Sequence, residues 1–465
     1  MKALENYRKP AIIPPLDPSF HPIVLFNKGY TGKVTASGNS TPLVIALERS
    51  DSLVSTYETV VYGNNSDYEE ESCLYIERLV KSLLWIWGGW KVTIGGPAYI
   101  GEHIKKAYAP GGAREFDANF MARVFEMPFT VVVADVHEVP ARREGATPTG
   151  RHLDGCRIGF DAGGSDRKVS AVIDGEAVYS EEVVWHPKLQ TDPEYHYNEI
   201  LAAMKSAAAH MPRVDAIGVS SAGIFINNRA MVASLFLKVP EDLFDSKVKD
   251  IYLRIAKELG DVPVQVANDG DVTALAGAMD LDAGKVLGIA MGTSEAAGYI
   301  DSEGNITGWL NELAFVPVDM HPGAMLDEWS GDIGCGVKYF SQDAVIKLAT
   351  PAGIELDEGH SPAEKLKTVQ KLLENGDVRA ISIFESIGCY LGYAIAYYAE
   401  FYEIEHILVL GRVTSGRGGD IITGKAEAVL KAEFPQLYES IKLHLPDESN
   451  RRVGQSIAAA SLPEI

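Results

Sequence analysis

The sequence predicts an α/β protein of two lobes preceded by a separate α+β domain, and three observations predict it. From Cys156 onward, apolar strand-like runs alternate with helix-like segments, the pattern of mixed sheets with helices on both faces. Turns that carry glycine, hydroxyl or carboxylate groups punctuate that alternation, each at the end of an apolar strand. Charge also divides the chain: residues 1–150 are nearly neutral, and almost all of the net charge of −22 lies beyond them.

In the first region, Leu43–Leu47 and Thr56–Tyr62 read as strands, followed by an acidic turn at Asp67–Glu71. A helix is expected over Ser72–Trp87, a strand over Trp90–Ile94, a turn at Gly95-Gly96-Pro97 and a helix over Tyr99–Tyr108. Val131–Val136 is another apolar strand. The polar stretch Val139–Gly155, with Pro140, Pro148 and Gly150, reads as a linker. The helix, strand, Gly-turn and helix of Ser72–Tyr108 echo those of Ser382–Leu430, either as a degenerate copy or as one more β-α unit.

Beyond the linker, Ile158–Ser165 delivers Asp161, Gly163, Gly164 and Ser165 into a tight turn, and Val169–Ile173 leaves it. Glycines there permit backbone geometry closed to other residues and let amides approach an anion. A carboxylate at the strand end suits a hydrated Mg²⁺. Asp215–Ser221 is a strand ending near Ala222-Gly223, between helices Tyr195–His210 and Ser246–Leu259. Val264–Ala276 is a strand ending in Asn268-Asp269 and then a small-residue helix. Val286–Ile300 places Gly292-Thr293-Ser294 between two strands, a second phosphate turn. Phe384–Tyr402 is apolar all round and holds Gly388 and Gly392, which marks a buried, closely packed inter-lobe helix. Ile407–Gly419 runs from a strand through Gly411 into a Gly-rich turn and a helix. In that order the turns describe a nucleotide cleft between two lobes.

These segments resemble the actin, sugar-kinase and heat-shock-ATPase superfamily, and within it the ROK family of sugar kinases and sugar-responsive repressors, from about Cys156 to Leu462. The family's first phosphate motif is matched by Asp161-Ala-Gly-Gly-Ser165, its Asn-Asp pair by Asn268-Asp269 and its Gly-Thr-Gly by Gly292-Thr293-Ser294. Its Glu-x-Gly-His segment is matched by Glu312–Phe315 and its small-residue ending by Gly454–Ala460. The resemblance implies two ribonuclease-H-like lobes, residues 151–278 with a returning C-terminal helix at 451–465, and residues 279–450. Residues 1–150 form the extra α+β domain, assigned to covering the cleft or to homodimerisation.

Departures narrow the expectation. The family's zinc loop, Cys-x-Cys-Gly-x-x-Gly-Cys-x-Glu, reads Glu328-Trp-Ser330-Gly-Asp-Ile-Gly-Cys335-Gly-Val337, and its histidine is Phe315. Cys335, even with His321, falls short of the four ligands structural zinc needs, so no zinc is expected and the loop is expected to be held by packing. Val337 and Phe315 also replace two sugar contacts.

The resemblance thus implies ATP- and Mg²⁺-dependent phosphorylation of a sugar or sugar-like polyol. Asp269 is the general base, its alternative being the N-cap of a helix starting near Asp271. Asp161 holds Mg²⁺ through water; Gly163, Gly164, Ser165, Gly292, Thr293 and Ser294 cradle phosphates, with Lys168 a weaker candidate. Gly411 borders adenosine, and Asn268, Glu312 and Gly223 face the substrate. The alternative is a non-catalytic sugar or nucleotide sensor.

Composition bounds the rest. With 465 residues and 46% apolar content, two or three domains with real cores are expected. Apolar runs such as Leu79–Trp90 are too short or too polar to span a bilayer. The opening Met1–Pro10 lacks the apolar core of a signal peptide, and the widely spaced Cys73, Cys156, Cys335 and Cys389 read as reduced cytoplasmic thiols. The charge of −22 argues against nucleic acid as a partner.

Overall fold

The computed structural model describes residues 8–64, 67–145, 149–446 and 448–465, and the side chains of 448–453 are not described. The expected absence of a signal peptide rests mostly on residues outside that set, and Pro148 of the expected linker lies outside it too. Along the chain the strands are β1 Ser40–Glu48, β2 Val54–Tyr62, β3 Lys91–Gly95 and β4 Thr130–Ala134. Next come β5 Cys156–Ala162, β6 Asp166–Ile173, β7 Glu176–Val184, β8 Ala216–Ser221, β9 Ile224–Ile226, β10 Arg229–Val232 and β11 Val264–Asn268. The last are β12 Val286–Met291, β13 Glu295–Ile300, β14 His406–Leu410 and β15 Lys442–His444. Two compact units share them: residues 1–145, 289–296 and 309–445 form the first, and residues 146–288, 297–308 and 446–465 the second.

In the first unit, one sheet has the order β2-β1-β3-β4. Helices Glu69–Trp87 and Ala98–Ala107 occur where the sequence predicts them, starting three and one residues earlier than expected. Helices Ile23–Ala36 and Glu115–Phe125 are additions that the sequence reading did not anticipate. A second sheet has the order β13-β12-β14-β15, and its strands β12 and β13 each run from one unit into the other. The apolar segment of the sequence is the helix Val378–Tyr398. Among the described residues it alone is long and apolar enough to cross a membrane, and it is mostly buried. Gly388 and Gly392 explain its tight packing on helix Arg417–Glu433: a Cβ there would lie 2.6 Å from Ile422 O and 2.5 Å from Val429 Cβ.

The loop that carries Cys335 is held inside this same unit by charge and aromatic packing. Asp332 accepts from Arg78 Nη1 at 2.7 Å, pairs with Arg114 Nη1 at 2.9 Å and lies 3.4 Å from Lys81 Nζ. Arg78 also donates to Ile333 O at 2.8 Å. Burial alone would raise the Asp332 carboxyl, yet Arg78, Lys81 and Arg114 hold it far below the usual range. Phe315 packs on Trp85 and Trp329, with ring centroids 4.4 and 4.7 Å apart. Cys335 Sγ lies 3.8 Å from Asp332, and burial pushes its thiol up to about 12. The ring of His321 stacks on His21 and its Nδ1 accepts from Gly323 N. Among the described residues no group of three His, Cys, Asp or Glu side chains converges as a metal site.

The second unit is built on a sheet of order β11-β8-β5-β6-β7, in which β11, β8 and β5 run parallel and β6 and β7 antiparallel. The helix Glu448–Ala460 packs across β5 and β8. Paired Gly159 and Gly218 make this approach possible, because a Cβ would lie 1.8 Å from Ser456 O and 1.6 Å from Ala459 O. The helix expected over Ser246–Leu259 is interrupted, and its regular part is Ile251–Glu258. Lys249 O accepts instead from Ala230 N of β10 at 2.9 Å, which takes that carbonyl out of a helical ladder.

Candidate active site

Parallel pairing of β5, β8 and β11 sets Asp161 beside Ser220, and Ser221 beside Asn268, so three strand ends meet at one edge. Asp161 is 6% exposed. It accepts from Ser220 Oγ at 2.9 Å and lies 3.8 Å from Lys168 Nζ. Burial pushes its carboxyl up to about 6 against the opposing pull of Lys168 and Ser220.

The helix after β11 begins at Asp269, not near Asp271, and its cap is Asn268. Asn268 Oδ1 accepts from Gly270 N at 2.7 Å while its Nδ2 donates to Gly223 O at 2.7 Å. Gly223 has φ +144 and no room for a side chain, since a Cβ would sit 2.3 Å from Val232 O. The cap position is therefore filled by the neighbour of Asp269, and the capping alternative for Asp269 falls away. Burial raises the Asp269 carboxyl, with Gly270 N and the charge of Lys188 opposing. Asp271 is instead buried and accepts from Tyr299 N at 3.2 Å.

The turn Gly163–Ser165 departs from expectation in one respect. Neither glycine has positive φ; Gly163 is required for room against backbone, whereas Gly164 faces only the mobile end of Lys188. A Cβ on Gly163 would lie 2.6 Å from Asp166 O, and one on Gly164 3.1 Å from Lys188 Nζ. Trp185 Nε1 donates to Gly163 O at 2.7 Å and Trp185 N to Ser165 O at 3.1 Å, which fixes the turn. Lys188 is the residue that sequence reasoning missed: its ammonium lies over Gly164 and acts on Asp269. It belongs to no motif, and only the turn Pro187–Leu189 brings it there.

These residues are the part of the expected set that the second unit assembles. Gly292, Thr293, Ser294, Gly411 and Glu312 belong to the first unit. There Gly292 N donates to Ser294 O at 3.0 Å and Gly292 O accepts from Gln342 N at 2.9 Å, leaving Thr293 and Ser294 exposed. Gly411 has φ +106, and a Cβ on it would lie 2.4 Å from Met291 O. Glu312 is half-buried. The donor set suits the expected groups: a glycine turn with a lysine over it suits phosphate, and a single strand-end carboxylate suits a Mg²⁺ that keeps its waters.

A two-lobed α/β fold with this strand-end arrangement defines a class of sugar kinases and regulators. The model of the ROK family matches residues 157–447, and the chain belongs to the ROK family. Among solved structures, the ROK hexokinase from Thermus thermophilus has a TM-score of 0.51 at 17% identity, covering 66% of this chain and 96% of its own. A ROK family transcriptional regulator, a homolog of the E. coli MLC protein, has 0.50 at 19%, covering 66% of this chain and 79% of its own. At such identities these neighbours speak for the fold. No curated relative matches the chain.

Proposed function

We propose that the chain is an ATP-dependent kinase that phosphorylates a hydroxyl of a sugar or sugar-like polyol, with Asp269 as general base. The supporting observation is the division of labour at β11: Asn268 caps the helix, and Asp269 shares the Gly270 N bond, at 3.1 Å through Oδ1, which leaves its Oδ2 for chemistry. Phosphoryl transfer asks mainly for positioning and charge stabilisation, plus one carboxylate to take the hydroxyl proton. A base whose carboxyl is raised by burial is better matched to a proton from an alcohol.

When bound, ATP supplies the phosphoryl group and Mg²⁺ offsets the charge of its phosphates. In this reading Asp161 holds the hydrated metal, and the turns Gly163–Ser165 and Gly292–Ser294 cradle phosphate oxygens, aided by Ser165 and Thr293, with Gly292 N itself committed to Ser294 O. Lys188 adds positive charge beside the turn, Gly411 borders the adenosine, and Asn268, Gly223 and Glu312 orient the substrate. The domains are 1–150, 151–278 with 451–465, and 279–450, and the enzyme works in the cytoplasm without binding DNA.

Transfer of label from γ-labelled ATP to a panel of sugars, amino sugars and cyclitols tests the reading. We expect label on at least one acceptor and no retention of duplex DNA at physiological salt. An unlabelled panel together with salt-sensitive DNA retention would favour the sensor instead.

A further inference from the structure

Within the small-residue run Gly454–Ala460, which ends the C-terminal helix, Gln455 is the one long polar side chain. That run lets the helix backbone approach β5 and β8 at Gly159 and Gly218. Ser456 Oγ, 2.7 Å from Ser170 Oγ of β6, fixes how the helix is turned on the sheet. At that rotation Gln455 reaches the strand ends. Its Nε2 donates to Ser220 Oγ at 3.2 Å and to Asp161 Oδ1 at 3.4 Å, and Ser220 Oγ donates to the same Oδ1 at 2.9 Å. An amide nitrogen carries two hydrogens, so one group can make both bonds. Turned over, the amide would set its oxygen against a carboxylate, acceptor against acceptor, so the hydrogen-bond network selects the donor orientation. The other carboxylate oxygen, Asp161 Oδ2, lies 3.8 Å from Lys168 Nζ. All four groups belong to the second unit.

The bonds therefore run one way, from amide to hydroxyl to carboxylate, and converge on a single oxygen. An aspartate carboxylate turns freely about its last torsion, whose wells are broad and roughly two-fold. Two donors on Oδ1 hold its plane and leave Oδ2 as the side that meets a ligand. Groups that hydrogen-bond a metal's ligating carboxylate hold it in place in this manner, and losing one typically costs roughly 10–100-fold in metal affinity. We propose that Gln455 is a positioning residue for the nucleotide's Mg²⁺: with Ser220 it orients Asp161 so that Oδ2 faces the hydrated metal. This rests on the kinase reading only in taking Asp161 as the carboxylate that holds the metal. Gln455 carries no charge, so it acts by orientation and not by attracting the cation. The C-terminal helix is then part of the site as well as a cover for the sheet.

Calorimetry of the full chain with AMPPNP, a non-hydrolysable ATP analogue, in Mg²⁺ and again in EDTA gives the factor by which the metal tightens nucleotide binding. Gln455→Met keeps the length and the helix propensity of the side chain and removes its donor. It is expected to cut that factor roughly tenfold or more while leaving the affinity in EDTA unchanged. Ser220→Ala is expected to act in the same direction. The double variant should lose less than the product of the two single losses, because both groups act through one carboxylate. If Gln455→Met fails to fold, Gln455→Ala, a strong helix former, takes its place with the same expectation. An unchanged factor, single losses that multiply, or equal weakening in Mg²⁺ and in EDTA, as a merely structural role would give, would overturn the proposal. A wild type whose AMPPNP affinity does not depend on Mg²⁺ would sink the metal role of Asp161 in the kinase reading and this proposal with it. A Mg²⁺-dependent wild type with indifferent variants would sink this proposal alone.

Discussion

Asp332 and Asp161 are both buried aspartates, and their surroundings separate what each is for. Asp332 is met by Arg78, Arg114 and Lys81, with its carboxyl held far below the usual range. Asp161 has the Ser220 hydroxyl, the Gln455 amide at 3.4 Å and one lysine at 3.8 Å, and burial pushes it up to about 6. The first charge is overcompensated and serves as a knot that ties the Cys335 loop to helix Glu69–Trp87. The second retains capacity for a ligand's charge, as does Asp269. Weak pairing at a strand end leaves a buried carboxylate open to a ligand's charge, whereas several cations around it make it part of the architecture.

The largest expected effect lies on the chemical side of this contrast. Asp269→Asn should lower turnover by roughly 10²–10⁴-fold, the range for loss of a general base, without lowering the melting temperature. Turnover within a few-fold of wild type would remove Asp269 from that side. Asp332→Ala should do the converse, leaving buried cations unpaired at a cost of about 3–5 kcal/mol, measured by urea denaturation. Its contribution is present at neutral pH and fades as pH falls below the unfolded aspartate pKa of about 3.9.

A purely steric change separates packing from charge. Gly218→Ala forces a Cβ toward Ala459 O and should cost about 1–3 kcal/mol or somewhat more by overpacking, with the loss independent of pH. The smallest effect concerns Glu400, which burial pushes up to about 7 with only Lys28 opposing. A raised carboxyl is stabilising to the fold only while protonated, so wild type loses stability as pH rises from about 4 through 7. Glu400→Gln should therefore gain about 1–3 kcal/mol at pH 8 and nothing at pH 4; an equal gain at both would show that charge is not its cause.

Much of the second unit was legible because its signals are local. Asp161-Ala-Gly-Gly-Ser165 and Asn268-Asp269 each compress a strand end and a turn into a few residues, so their order along the chain marks out the β5, β8 and β11 edge. Which of Asn268 and Asp269 caps the helix was not legible, since both are good caps and the bond to Gly223 O decides. The knot at Asp332 was invisible for another reason: Arg78 and Asp332 are far apart in sequence and neither belongs to a motif. The expectation that packing holds the zinc-like loop was half of the answer. Phe315, Trp85 and Trp329 supply that packing, and the cations supply the rest. Helices such as Ile23–Ala36 escaped because their apolar residues follow no clear one-faced period.

The crossing of Glu448–Ala460 over Gly159 and Gly218 has a consequence for the chain's birth on the ribosome. The central strands β5 and β8 emerge long before the helix that covers them, and everything from β12 to β15 is translated in the interval. During that time the glycine-lined face has no lid of its own, and the second unit cannot close. Synthesis from the N-terminus therefore allows the first unit's β1–β4 sheet to form early, while the strand edge bearing Asp161 and Asp269 acquires its final backing only after β12 to β15 have been made.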